Sequence, residues 1–375
     1  MKITLISTAY PLRGGIAQYT GILYRELQKK HEVNVITFKR QYPKFLFPGK
    51  TQQESSKNAS IKIESEAIID SINPMTWLRV FLKIKKNKPD LIIFKYWMPF
   101  FAPCFGTITW LTKRFTTTKI LYICDNVMPH ERRPGDRLLT RFALGKADFF
   151  IVQSNVVKND LLELLPNANY KKVAHPVYDI FGKLIEKNKA RKELGIVTPR
   201  VILFFGFIRA YKGLDLLLEA MPEILKNLEL KLLVVGEFYE DEQKYRQLID
   251  KLGIADQVII HSDFVPNENV YLYFSAADVV VLPYKSATQS GIVPLAYHFN
   301  KPCIVTDVGG LSEVVLDNKT GFVVEPNDPV ALAQAVIRFY REGKEARFME
   351  NINKEKKKYS WENLVEAIEE LASED

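Results

Sequence analysis

The sequence predicts an α/β protein of two Rossmann-like, doubly wound domains facing each other across a cleft. Three observations carry that prediction. Apolar runs of strand length alternate with amphipathic stretches along nearly the whole chain, the pattern of parallel sheets covered by helices on both faces. The pattern breaks at residues 176–189, where Gly182 and clustered lysines read as a linker, and then restarts. A length of 375 residues is long for one domain and comfortable for two.

In the first half, strands are expected at 2–7, 32–38, 90–96, 119–124 and 149–153. Helices are expected at 15–30, 77–86, 137–144 and 155–165. Residues 39–60 are polar, proline-bearing and aperiodic, and read as a surface loop. The longest apolar stretch, 91–111, holds Lys95, Pro99 and Pro103, which argues against a membrane span. It divides instead into a strand, an aromatic loop over 97–105 and a helix from about Thr107. In the second half, strands fit 201–207, 231–235, 258–261, 279–282 and 303–306, with helices at 213–226, 242–252, 270–276 and 291–299. Residues 330–342 and 361–371 read as terminal helices. The domains are therefore assigned to 1–180 and 190–350.

Hydrophobic content of 47% with 26% charged residues is ordinary for a soluble globular protein. Cys104, Cys124 and Cys303 are far apart and have no metal-ligand spacing, so they read as core thiols of a reducing, cytoplasmic compartment. The apolar run at the N-terminus is too brief for a signal peptide, and Pro11 and Arg13 follow it. Residues 1–180 carry 28 Lys and Arg against 14 Asp and Glu, a net +14, whereas residues 181–375 carry 24 against 30, a net −6. The basic half suits an anionic membrane surface, with the protein peripheral at its inner face, or an acidic glycan, or else is simply a solvated basic face. Nucleic acid is set aside, because no recognition-helix, zinc or RNP-like pattern is present.

The segment 201–220, VILFFGFIRAYKGLDLLLEA, concentrates the chemistry. A buried strand stops at Gly206, a loop follows with Arg209 and Lys212, and a helix opens at Gly213. Unsatisfied N–H groups and the positive dipole end of a helix beside two cations make a site for a diphosphate. Gly14 and Gly15 follow the first strand and open the first helix, where backbone N–H groups can approach an anion or form only a tight turn. No GxGxxG and no Walker lysine accompany them.

Further candidates stand at successive strand ends, where ligands of such sheets bind. Asp125 and Asn126, with His130 and Glu131 beyond, enter the cleft as acceptor-side groups. His130 suits a sugar oxygen or an acceptor hydroxyl, or else packs at the surface, and Asp125 alternatively caps a turn. Glu237 ends a strand where a base or ribose often lies. Thr288, Gln289, Ser290 and Gly291 bring hydroxyls, an amide and a flexible backbone to a helix N-terminus. Thr306, Asp307, Gly309, Gly310 and Glu313 close another strand end. No D-x-D, HExxH or cysteine cluster is present, so no metal is expected and the two cations would meet a leaving diphosphate.

The motifs GGIAQYT, GFIRAYKGLDLLLEA, VVGE at 234–237, ADVVVLPY, and KPCIVTDVGGLSEVV with TGFVVEP after it resemble a retaining family-4 glycosyltransferase of the GT-B fold. The resemblance spans nearly the whole chain and is strongest from 201 to 326. It implies a nucleotide-sugar in the second domain, Arg209 and Lys212 on its diphosphate, His130 at the transferred sugar, and a C-terminal helix (about 358–375) returning to the first domain. Two departures stand out. Phe207 occupies the place of the family's arginine, two residues before Arg209. The E-x7-E glutamates fall on Ala287 and Leu295, so this chain resembles a TQSG-loop branch in which Thr288, Gln289 and Ser290 serve the donor.

The expected function is transfer of a sugar from a nucleoside diphosphate sugar to a glycan or lipid-linked acceptor hydroxyl with retention, in cell-surface polysaccharide or lipid-linked glycan assembly. No cofactor beyond the donor is expected. A nucleotide-sugar epimerase would need further cleft carboxylates. A non-catalytic sugar-nucleotide-binding partner would account for Ala287 and Leu295, and a dehydrogenase lacks its GxGxxG.

Overall fold

The computed structural model describes residues 1–43, 51–54, 62–129 and 133–374. Two parallel sheets organise them. The first comprises β1 (Lys2–Ile6), β2 (Glu32–Arg40), β3 (Glu66–Asp70), β4 (Leu91–Tyr96), β5 (Lys119–Cys124), β6 (Phe149–Val152) and β7 (Tyr170–Lys172), in the order β3-β2-β1-β4-β5-β6-β7. The second comprises β8 (Val201–Phe205), β9 (Lys231–Val235), β10 (Val258–His261), β11 (Val279–Leu282), β12 (Cys303–Thr306) and β13 (Gly321–Val324), in the order β10-β9-β8-β11-β12-β13. The expected pair of doubly wound domains is present. The winding reverses between β1 and β4 and again between β8 and β11, which leaves a crevice beyond the carboxyl ends of those strands.

Alternation along the strands explains the layers. Ile6, Phe94 and Tyr122 turn into a core with the helices Pro74–Asn87, Ala102–Phe115 and Asp136–Leu144, while Leu5, Ile93 and Leu121 face the opposite side with the helix Gly15–Leu27. The helix Trp361–Ser373 returns to the first domain, as expected. Its Trp361 ring lies 4.8 Å from Tyr19, and Trp361 Nε1 donates to the Val177 carbonyl at 2.9 Å.

The structure departs from the expectation at sheet edges and at proline. β3 and β7, EAIID and YKK, are short edge strands whose polar residues mask the strand pattern. The third helix begins at Ala102 rather than about 107, because Pro103 stands in its first turn, where a missing N–H removes no hydrogen bond. The expected linker 176–189 ends inside a helix, Lys187–Glu193, whose Arg191 donates to Asp278 at 2.9 Å and so belongs with the second sheet. Within the expected loop 39–60, β2 runs on to Arg40 and Gln53 bridges Leu12; residues 44–50 and 55–60 lie outside the described residues. Among the described residues, no helix is long and apolar enough to cross a membrane.

Candidate functional site

At the floor of the crevice, β8 and β9 end in glycines whose backbones touch. Gly236 has φ +144, and a Cβ there would lie 2.1 Å from the Gly206 carbonyl oxygen. Gly206 has φ +108, and a Cβ there would lie 3.2 Å from Lys212 Nζ. The missing side chain at Gly206 therefore makes room for an ammonium group.

Lys212 closes the turn Ala210–Lys212, just before the helix Leu214–Asn227. It is buried, with the Tyr284 ring 5.6 Å from Nζ, and no carboxylate among the described residues pairs with it. Burial, then the neighbouring Arg209, pushes its pKa down to about 7. Arg209 is exposed, its guanidinium 4.9 Å from the Tyr239 ring. Its charge also reaches Tyr42 of the first domain, whose hydroxyl burial pushes up to about 12 against the pull of Trp97 and Arg209. Arg209 thus stands at the gap between the domains, with Lys212 buried behind it against Gly206 and Tyr284 of the second domain.

Across that gap the donor-side and acceptor-side candidates meet. Thr288 Oγ1 donates to Asn126 Oδ1, and Gln289 Nε2 donates to Asp125 Oδ1 at 2.8 Å and to Gln153 Oε1 at 3.2 Å. Gln289 Oε1 is buried with no partner among the described residues. Ser290 Oγ accepts from the Ile292 N–H at 3.2 Å, just ahead of the helix Ile292–His298. Gly15 and Gly291 both face the Tyr178 hydroxyl, which stands between the two helix N-termini. Gly14 lies at φ +105 as the residue before the first helix, with no atom near its missing Cβ. Glu237 accepts from Arg13 Nη2 at 2.5 Å, both side chains being buried, so its carboxylate ties the second domain to the first. His130 and Glu131 lie outside the described residues.

Sequence reasoning missed the group beneath Asp125. Lys95 is buried in β4, donates to Asp125 Oδ1 at 2.6 Å, and has its ammonium 3.6 Å from the Tyr19 ring centre. Burial lowers its pKa, and Asp125 opposes that. Gln153 Nε2 donates to the Tyr19 hydroxyl at 3.1 Å, which closes the network. The signal was available: one lysine inside LIIFKY requires a buried anion, and Asp125 stands one residue past the paired end of β5. Arg13 was missed as well. Its guanidinium lies 4.7 Å over Phe264 besides reaching Glu237, and Gln18 donates to Asn267 at 2.7 Å beside it. Glu313 forms a second ionic bridge between the domains, accepting from the Asn155 N–H at 2.7 Å and from Lys172 at 2.9 Å. Among the described residues, no three His, Cys, Asp or Glu side chains converge as a metal's ligands would.

Residues 186–358 match the family model described as Glycosyl transferases group 1. An uncharacterized glycosyltransferase of Methanocaldococcus jannaschii is 32% identical over 193 residues, which cover 50% of this chain and 48% of that protein. A D-inositol 3-phosphate glycosyltransferase of Corynebacterium urealyticum is 28% identical over 75% of this chain and 70% of its own. In fold, the chain is similar to sucrose-phosphate synthase of Thermosynechococcus elongatus, with a TM-score of 0.76 at 19% identity over 98% of this chain and 97% of that one. Anabaena HepE, solved in complex with UDP-glucose, gives 0.75 at 17% identity over 100% of both chains. The architecture is GT-B.

Proposed function

We propose that this chain, whose residues 186–358 belong to the Glycosyl transferases group 1 family on a GT-B scaffold, is a retaining glycosyltransferase that uses a nucleoside diphosphate sugar. Lys212 carries the reading. A buried ammonium with no carboxylate partner among the described residues, beside Arg209 and the start of a helix, suits an anionic ligand. The diphosphate supplies the missing charge, and the sugar then points toward Thr288, Gln289 and the cleft face of the first domain. The relatives that carry D-inositol 3-phosphate glycosyltransferase and glycogen synthase names, and the fold neighbour holding UDP-glucose, support the donor class.

As the glycosidic bond to the diphosphate breaks, negative charge gathers on the leaving oxygens. Arg209, Lys212 and the N–H groups of helix Leu214–Asn227 meet it, and one such donor is worth about 3–4 kcal/mol at the transition state. No metal or cofactor enters this reading. The acceptor hydroxyl attacks from the face that the diphosphate leaves and gives its proton to the departing diphosphate oxygen, which retains the anomeric configuration, and His130 is assigned to the sugar. The acceptor is a growing glycan, lipid-linked or on the cell surface, bound by the basic first domain at an anionic membrane.

A thermal-shift screen of nucleoside diphosphate sugars tests the donor assignment. One donor should stabilise the protein, and Arg209→Ala should abolish most of that shift. An undiminished shift in the mutant would refute the diphosphate role.

A further inference from the structure

The helices Pro74–Asn87, Ala102–Phe115 and Asp136–Leu144 lie side by side on one face of the first sheet, sharing one apolar core beneath them. Their outward faces are apolar too. Of the twelve large hydrophobic side chains most exposed among the described residues, nine lie on these helices or the turn leading into the first. Met75, Leu78 and Leu82 form an outward stripe at helical spacing, although Trp77, Val80 and Ile84 already supply the inward one. Leu138 is 75% exposed. The patch is continuous: the Phe142 ring lies so close over Gly106 that a Cβ there would be 2.5 Å away, and Trp110 follows one turn later on the same helix.

Cations surround this patch. The three helices carry eight Lys and Arg against a single acidic residue, Asp136. Lys83, Lys113 and Arg137 pair with Glu66, Asp148 and Glu163. Among the described residues, Arg79, Lys85, Lys86, Arg114 and Arg141 have no carboxylate partner. A second copy docking through this face would set like charges together, and nucleic acid would leave the leucines and phenylalanines unmatched. Apolar side chains ringed by lysine and arginine fit the boundary between headgroups and acyl chains of an anionic leaflet.

We propose that this three-helix face docks on an anionic phospholipid surface. The inference takes up the membrane part of the function proposed above and needs none of its catalytic part. Helices that follow parallel strands start at the carboxyl edge of the sheet, so Met75 and Leu138 lie at the cleft end of the face and Lys86 and Arg114 at the far end. Docked this way, the cleft opens beside the leaflet.

The full chain is tested by flotation with vesicles of phosphatidylcholine alone and of phosphatidylcholine with phosphatidylglycerol. Trp110 serves as reporter, because the other three tryptophans are buried. The anionic vesicles should bind at least about tenfold better, and added salt should weaken the binding. Emission should shift to the blue, and Trp110→Phe should remove the shift. Leu138→Asp should lower binding by about tenfold, and Lys85→Glu with Lys86→Glu by more, each lysine near the leaflet being worth about fivefold. Equal binding to both vesicles, no binding, or a Leu138→Asp variant that binds like the parent would overturn the proposal. So would a dimer that Leu138→Asp dissociates. Melting shifts with nucleotide sugars are recorded on the same samples. A chain that floats without a donor response supports the surface and refutes the transferase reading, while a donor response without flotation does the reverse.

Discussion

With no carboxylate among the described residues pairing with Lys212, the proposed diphosphate contact should make donor binding a proton-linked event. The empty site holds Lys212 with its pKa pushed down to about 7 by burial and by Arg209, from an ordinary 10.5. One pH unit is about 1.4 kcal/mol, so keeping that ammonium charged in the empty protein costs about 5 kcal/mol. The sign follows from linkage: the folded state binds the proton less tightly, so the penalty is complete below about pH 7 and fades as pH rises toward 10.5. A bound diphosphate reverses this by restoring the ammonium. At pH 8 about 0.9 of the empty sites are deprotonated, and about 0.1 at pH 6, so binding should take up about 0.9 and about 0.1 proton respectively. Affinity should fall about tenfold between pH 6 and pH 8 for the same reason. A nucleoside diphosphate sugar has no group that titrates near neutrality, so the uptake belongs to the protein. Titration calorimetry at pH 8 in phosphate and in Tris reads it directly, because the buffers differ in ionisation heat. Lys212→Met should abolish the buffer dependence and stabilise the empty protein at pH 6. Tight binding with a buffer-independent heat at pH 8, or an unchanged uptake in Lys212→Met, would refute the assignment.

Two further predictions concern the floor of the cleft. Lys95→Met leaves Asp125 without its buried cation and should cost about 3–5 kcal/mol in urea unfolding, with most of it recovered by adding Asp125→Asn; a loss below about 1 kcal/mol would mean the pair is not integral. Gly236→Ala drives a Cβ to 2.1 Å from the Gly206 carbonyl at φ +144, so stability should drop by at least about 3 kcal/mol and donor stabilisation should vanish. A melting temperature within about 2 °C of the parent would contradict that geometry.

The central strands were readable because burial on both faces makes them nearly continuous apolar runs, as in LIIFKY and VILFF. The place of Arg209 and Lys212, in a loop between a strand and a helix, was readable because the three follow one another within twenty residues. Edge strands were not, since β7 is simply Tyr-Lys-Lys and owes its form to its neighbour. Nor were the bridges across the cleft: Asp125 and Gln289 are 164 positions apart, and Arg13 and Glu237 are 224 apart. Asp125, Gln289 and Glu237 stood out as strand-end groups, but which residue each would meet across the cleft depends on both domains being in place. Lys95 was noticed only for what it excludes, a membrane span, although a cation inside a buried strand also demands an anion.

The distribution of charge separates two tasks that a net value merges. The cations assigned to the donor, Arg209 and Lys212, lie in the half of the chain whose net charge is −6. The proposed attraction of the diphosphate is therefore assigned to a local source, one ammonium stripped of water and set beside a guanidinium and a helix end. Local fields of this kind are little screened by salt, whereas a surface patch is. Half of the first half's surplus of +14 is displayed elsewhere, as a net +7 on the three helices that cover one face of the first sheet and carry exposed leucine and phenylalanine. The two functions should part experimentally on ionic strength alone: raising salt should release the chain from anionic vesicles at concentrations that leave the donor-induced melting shift nearly unchanged. If both responses decline together, the donor cations are part of the same solvent-exposed field, and the buried position of Lys212 does not govern binding.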